Sequence, residues 1–215
     1  MPAPVKSKRS YDSPARREQA RTTRQAVLRA ARDLFVERGF AAATIGSIAA
    51  AAGVSAETVY AVFGSKRKLL AQLIDVSIAG DDRQVPVLER DWVESMRAEP
   101  DPRRRARILA RNGRRILERR APLDEVLRGA AAADPEMADL WRRTREQRYA
   151  GQAELVRILG RGGALRPGLS VRSAADVLYA VGSPETWQAL VDERGWSGNR
   201  FERWYADSIE RLLLA

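Results

Sequence analysis

No cysteine and no histidine occurs among the 215 residues. That removes disulfides, thiolate nucleophiles and zinc sites of the Cys/His kind. It also removes any Ser-His-Asp triad. Only carboxylate, lysine, tyrosine, serine or threonine chemistry is left, and no metal or cofactor set can be read. The missing cysteine fits a cytoplasmic protein. Long apolar runs are absent too: no stretch reaches about 18 apolar residues, so no membrane span is expected. Met1 to Arg24 lacks an apolar stretch of roughly 7–15 residues, so no secretory signal is expected. With 45% hydrophobic residues, the chain can still bury a sizeable core.

Charge is unevenly placed. The net charge is +10. Residues 1–70 hold 13 Lys/Arg against 5 Asp/Glu, whereas residues 71–215 hold 25 against 23. All four lysines (Lys6, Lys8, Lys66, Lys68) fall in the first segment. A basic first third suits an anionic partner, nucleic acid or a membrane surface. The competing account is a solvated charged face in an arginine-rich chain.

Residues 1–13 mix Pro, Lys, Arg and Ser and read as a disordered basic arm. Ser13-Pro14 signals a helix start. Val27, Ala30, Ala31, Leu34 and Phe35 recur at helical spacing, and Gly39 supplies the stop, giving a helix of about 15–38. Thr44 caps a short helix whose Ile45, Ile48, Ala49 and Ala52 share one face, with Gly53 as its end. Ser55 caps a third helix to about Phe63, with Glu57 in the first turn where the helix dipole favours a negative charge. Ser65 caps a fourth, to about Ile78. Further helices are expected at about 86–98, 102–120, 122–133, 135–160, 171–181, 184–193 and 198–214, with breaks at prolines and glycines. No alternating strand pattern appears, so the class is all-α.

Two helices of about two turns meet at Gly53, where Ala49 and Ala52 allow close approach and Val54 plugs the corner. Such a corner is a helix-turn-helix, spanning about 44–63. The segment resembles the TetR-family signature through Thr44, Ile48, Ala49, Ala52, Gly53, Val54, Ser55, Thr58, Tyr60, Phe63, Ser65, Lys66, Leu69 and Leu70. The preceding Leu34-Phe35-Val36-Glu37-Arg38-Gly39-Phe40 resembles that family's first helix, and the detailed likeness covers about residues 20–75. One departure is Val62, where the family often has a histidine able to donate a hydrogen bond.

The resemblance implies a basic arm (1–13), a three-helix DNA-binding domain (14–80) and a larger helical effector-binding and dimerisation domain (81–215). It implies a homodimer on a palindromic operator in double-stranded DNA, released by an unknown small-molecule effector. Thr44, Tyr60 and Lys66 would meet phosphates. Ser55, Ala56, Glu57, Thr58 and Ala61 would face the bases, a set poor in the usual bidentate readers. Lys6, Lys8, Arg9, Arg16 and Arg17 would add contacts from the arm. Ligand contacts are expected from Trp92, Trp141 and Tyr149, and a dimer interface from Val177, Leu178, Val181, Trp204 and Ile209. Trp187, Leu190, Phe201, Tyr205 and Leu212 extend the same apolar stripes.

Three rivals make different demands. A DNA-binding protein without an effector needs a filled C-terminal core. A helical hydrolase or transferase needs clustered carboxylates, but the acids sit among arginines at helix-face spacing, as in Asp139, Arg142 and Arg143. A membrane-surface protein wants Trp and Lys together near the N-terminus, yet all five Trp follow residue 90.

Overall fold

The computed structural model describes residues 14–80 and 85–215. The arm over 1–13, with Lys6, Lys8 and Arg9, lies outside the described residues. Ten α-helices run through the rest: α1 Pro14–Ala42, α2 Ile45–Ala52, α3 Ala56–Phe63, α4 Lys66–Ala79, α5 Asp91–Ala98, α6 Pro102–Ala131, α7 Pro135–Leu159, α8 Val171–Val181, α9 Pro184–Trp187 and α10 Gly198–Leu213. A 3₁₀ turn (Val87–Glu89) precedes α5, and α9 continues as π-helix over Gln188–Glu193. Among the described residues β pairing is limited to an isolated bridge between Leu165 and Leu214. No single helix there is long and apolar enough to cross a membrane.

Local chemistry explains the N-terminal helices. The helical backbone of α1 breaks at Gly39 (φ 76, ψ 170), and a further short piece ends at Ala42. Thr44 and Ser47 form a reciprocal capping box at the start of α2. At its end Gly53 is left-handed (φ 67), with its N–H donating to the Ala50 carbonyl and that of Val54 to Ala49. That paired closure needs a residue without a Cβ penalty. Ser55 and Ser65 cap α3 and α4 by accepting from the N–H of Thr58 and Lys68.

Two cores form. The first gathers Val27, Ala31, Phe35, Ile48, Val59, Leu69, Leu70 and Ile74. It is completed from far along the chain by Leu123, Val126 and Leu127 of α6 and Met137 of α7. The second holds Val93, Met96, Leu109, Leu117, Val156, Leu159, Leu178, Phe201, Tyr205 and Ile209.

The expected break at Pro122 is absent: α6 is one helix of 30 residues, about 45 Å long, with Pro122 inside it. An internal proline costs about 3 kcal/mol. Burial on both sides offsets it, since Leu117 and Ala121 enter one core and Leu123 and Leu127 the other. Nor do all the arginines over 103–120 face outward. Arg105 and Arg120 are buried. The Arg105 guanidinium donates to the carbonyls of Glu99, Pro100, Leu159 and Arg161, closing the end of α7.

Leu127 is fully buried in the first core although it lies over fifty residues beyond that core's last N-terminal member. Leu127→Ala should therefore cost about 2–5 kcal/mol and strip amide-exchange protection from α1 and α4. Protection lost only from α6 and α7 would refute the shared core.

Candidate nucleic-acid interface and cavity

The α2 and α3 axes are bent by 103° across the Gly53 corner. Val59 and Phe63 anchor α3 in the core. Its other face is open: Ser55, Glu57, Tyr60 and Ala61 are exposed, and Thr58 and Ala56 are half-buried. Thr44 lies exposed at the neighbouring start of α2. Tyr60 is 53% exposed, an unusual place for an aromatic ring unless something else covers it. Glu57's carboxyl is held below the usual glutamate range, first by its own backbone N–H and then by the Ser55 hydroxyl. It is a charged helix-start residue.

Lys66 is placed differently from the expectation. Its ammonium donates to the carbonyls of Phe40 (2.8 Å) and Ala41 (3.3 Å) and stands 4.4 Å from the Phe40 ring centroid. Burial, followed by the neighbouring Arg67 charge, pushes its pKa down. The lysine ties the start of α4 to the end of α1, and a phosphate would have to compete with those carbonyls. Arg67 beside it bonds Asp134 (2.8 Å) and reaches Glu136 (3.3 Å), latching α4 to the start of α7. At the far end of α4, Arg119 Nε donates to the Ser77 carbonyl (2.9 Å). So α4 is fastened to the C-terminal helices at both ends.

A cavity of about 240 Å³ lies beneath that far end. Ile78 of α4 forms part of its wall, with Trp92, residues of α6 and α7, Leu178, Gly182 and Tyr205. Gly182 is there for space: a Cβ would come 2.2 Å from the Tyr205 hydroxyl oxygen. Gly113 faces the same ring, and a Cβ there would come 2.8 Å from Cε1. Burial pushes the Tyr205 hydroxyl well above the ordinary phenol range, against the opposing pull of Arg148. Arg120 is also in the wall and pairs with buried Asp124 at 2.7 Å. Burial raises the Asp124 carboxyl, and Arg120 pulls it the other way.

Of the expected ligand contacts, Trp92 is in the wall, but Trp141 and Tyr149 are not. Trp141 packs against the first core under Arg145, and Tyr149 stands edge-on to Tyr179. Missed instead were Arg148 and Gln152. The available signal was a polar line at four-residue spacing, Thr144, Arg148 and Gln152, on the face of α7 that continues to Leu155. Of the expected dimer contacts, Leu178 and Ile209 are fully buried within their own chain, as is Phe201, with Tyr205 and Trp187 nearly so. Val177, Val181 and Trp204 keep partial exposure, and Leu212 is exposed.

A capped two-helix corner that holds one short helix outward, on a helical body, is a helix-turn-helix arrangement. Residues 27–73 match the model for bacterial regulatory proteins of the tetR family. The fold is shared with a Saccharomonospora viridis protein solved in complex with choline (21% identity, TM-score 0.66, 89% of this chain and 97% of that one). It is shared with a Rhodococcus protein assigned to the TetR family (17%, TM-score 0.66, 90% and 99%). NalD from Pseudomonas aeruginosa, the secondary repressor of the MexAB-OprM multidrug efflux pump, is similar as well (24%, TM-score 0.65, 91% and 98%). No curated protein sequence matches the chain.

Removing the Lys66 ammonium should cost folding stability. Lys66→Ala is expected to lower it by about 1.5–3 kcal/mol, as for hydrogen bonds to a charged group. Denaturant unfolding of the DNA-free protein measures this, and an unshifted midpoint would return Lys66 to the surface.

Proposed function

We propose that the chain is a homodimeric repressor that binds a palindromic operator in double-stranded DNA and releases it when a small molecule fills the cavity. Residues 14–80 form the DNA-binding unit and 81–215 the effector-binding and dimerisation unit, with α6 passing between their cores. The observation that carries the reading is α4: its first turn backs α3, and Ile78 near its end lines the cavity. A molecule pressing on Ile78 moves the helix that supports the DNA-reading face.

Thr44 and Tyr60 meet phosphates, while Ser55, Glu57, Thr58 and Ala61 face base edges in the major groove. Ala56, half-buried, meets at most a thymine methyl. Lys66 contributes by holding α4 in place. Two protomers pair through the outer faces of α8 and α10, using Val177, Val181 and Trp204 with Leu212 at the edge. This sets two copies of α3 about 34 Å apart, one DNA turn. The coupling between effector and operator is about 1–3 kcal/mol, and each weakens the other's binding equally. The cavity itself argues against the rival with a filled C-terminal core.

Operator selection from random duplex DNA with the purified chain tests this. The expected product is an inverted repeat, bound by a particle of twice 23.9 kDa. Tyr60→Phe should weaken every selected site alike, by about 1.5 kcal/mol or roughly tenfold. Enrichment of no sequence, or binding by a single copy, would overturn the reading.

A further inference from the structure

We propose that the cavity takes a small amphipathic monoanion: an apolar tail of about five carbons ending in a carboxylate, with Arg148 and Gln152 at the anionic end. This rests on the effector reading above and names the chemistry of that effector.

Size comes first. At about 30 Å³ per water-sized group, 240 Å³ holds roughly eight non-hydrogen atoms. Most of the wall is apolar, from Leu109, Ile116, Leu117, Leu155 and Leu178. A pure hydrocarbon would suit those residues but not Gln152. That side chain is 8% exposed, and its Oε1 has no hydrogen-bond partner. A buried amide without a partner is costly. Since its oxygen and nitrogen exchange places by a flip, it can offer a ligand either a donor or an acceptor. The ligand therefore has a polar end.

The wall also sets the sign of that end. Among the described residues, two arginines line the cavity and no carboxylate does. Arg120 is already neutralised by Asp124. Arg148 is not: Nη1 donates to the carbonyls of Tyr179 (3.1 Å) and Gly182 (3.5 Å), and the guanidinium stacks 3.6 Å from the Tyr179 ring centroid. These partners are neutral. Asp124 acts on Arg148 through space, but a half-buried guanidinium hydrogen-bonded only by neutral groups still gains from an anion, through charge-assisted hydrogen bonds. Arg148 and Gln152 are one helical turn apart on α7, so one carboxylate can engage both. A quaternary ammonium fits poorly. It would face the Arg148 guanidinium, and among the described residues only Trp92 and Tyr205 offer aromatic rings in the wall.

Calorimetric titration of the full chain without DNA decides the matter, using three probes of similar size: hexanoate, its uncharged counterpart hexanamide, and choline. Hexanoate should bind at least tenfold more tightly than hexanamide, and choline should give no signal. Equal or tighter binding of hexanamide or choline, or no binding of any probe, would overturn the proposal. Arg148→Met should bring the hexanoate-to-hexanamide ratio to about one, and Arg148→Lys should retain the preference. A folded Met variant that keeps the full preference removes Arg148 from the assignment. Should the Met variant not fold, the three wild-type titrations still decide. Operator release is read separately: hexanoate that binds without releasing DNA refutes the effector reading and leaves the cavity chemistry standing.

Discussion

The structure depends on one helix serving two cores. The first half of α6 supplies Leu109 and Leu117 to the C-terminal core, and its last turns supply Leu123, Val126 and Leu127 to the N-terminal one. The N-terminal core cannot be completed from the residues before position 80. The apolar faces of α1 and α4 would otherwise meet water where α6 now covers them, and the burial of a single leucine there stabilises by about 1.5–3 kcal/mol. A small helical unit so dependent on a distant segment cannot ignore what happens in the other core.

Arginine does much of the fastening, and it does so in three environments. Arg105 is surrounded by carbonyls at a helix end. Arg120 is buried against one carboxylate beside the cavity. Arg67 sits at the surface between two acids of α7. The first two are shielded from salt and the third is not. This abundance accounts for much of the net charge without invoking a ligand for every guanidinium. It also shows why a count of basic residues is a poor guide to a binding face: Lys66 stands at the expected place and turns inward.

The helix-turn-helix was legible because its determinants are local. Thr44, Gly53, Ser55 and Ser65 each act within four residues, through caps and a left-handed turn, and each did what its neighbours required. What failed to show was set at long range. Pro122 reads as a terminator until both flanks are seen to be buried. Leu178 and Ile209 read as an interface stripe until α8 is packed on α7, α10 on α6, and the two on each other. The aromatic side chains were a misleading index of the cavity. Trp141 was claimed by the other core, and the wall was built largely of aliphatic side chains around two arginines and two glutamines. The space itself depends on side chains that are missing, at Gly113 and Gly182, against the Tyr205 ring.

Pro122 has a mechanical consequence. Having no N–H, it leaves the carbonyl four residues earlier, at position 118, without its usual intrahelical bond. The interruption falls just past Leu117 and Arg120 in the cavity wall and just before Leu123, where α6 enters the other core. A beam notched at one point yields there before it yields elsewhere. On the effector reading proposed above, displacement of the cavity wall would be taken up as bending at the notch, and the stiff route from the cavity to the outer face of α3 would run through α4 and its two end fastenings.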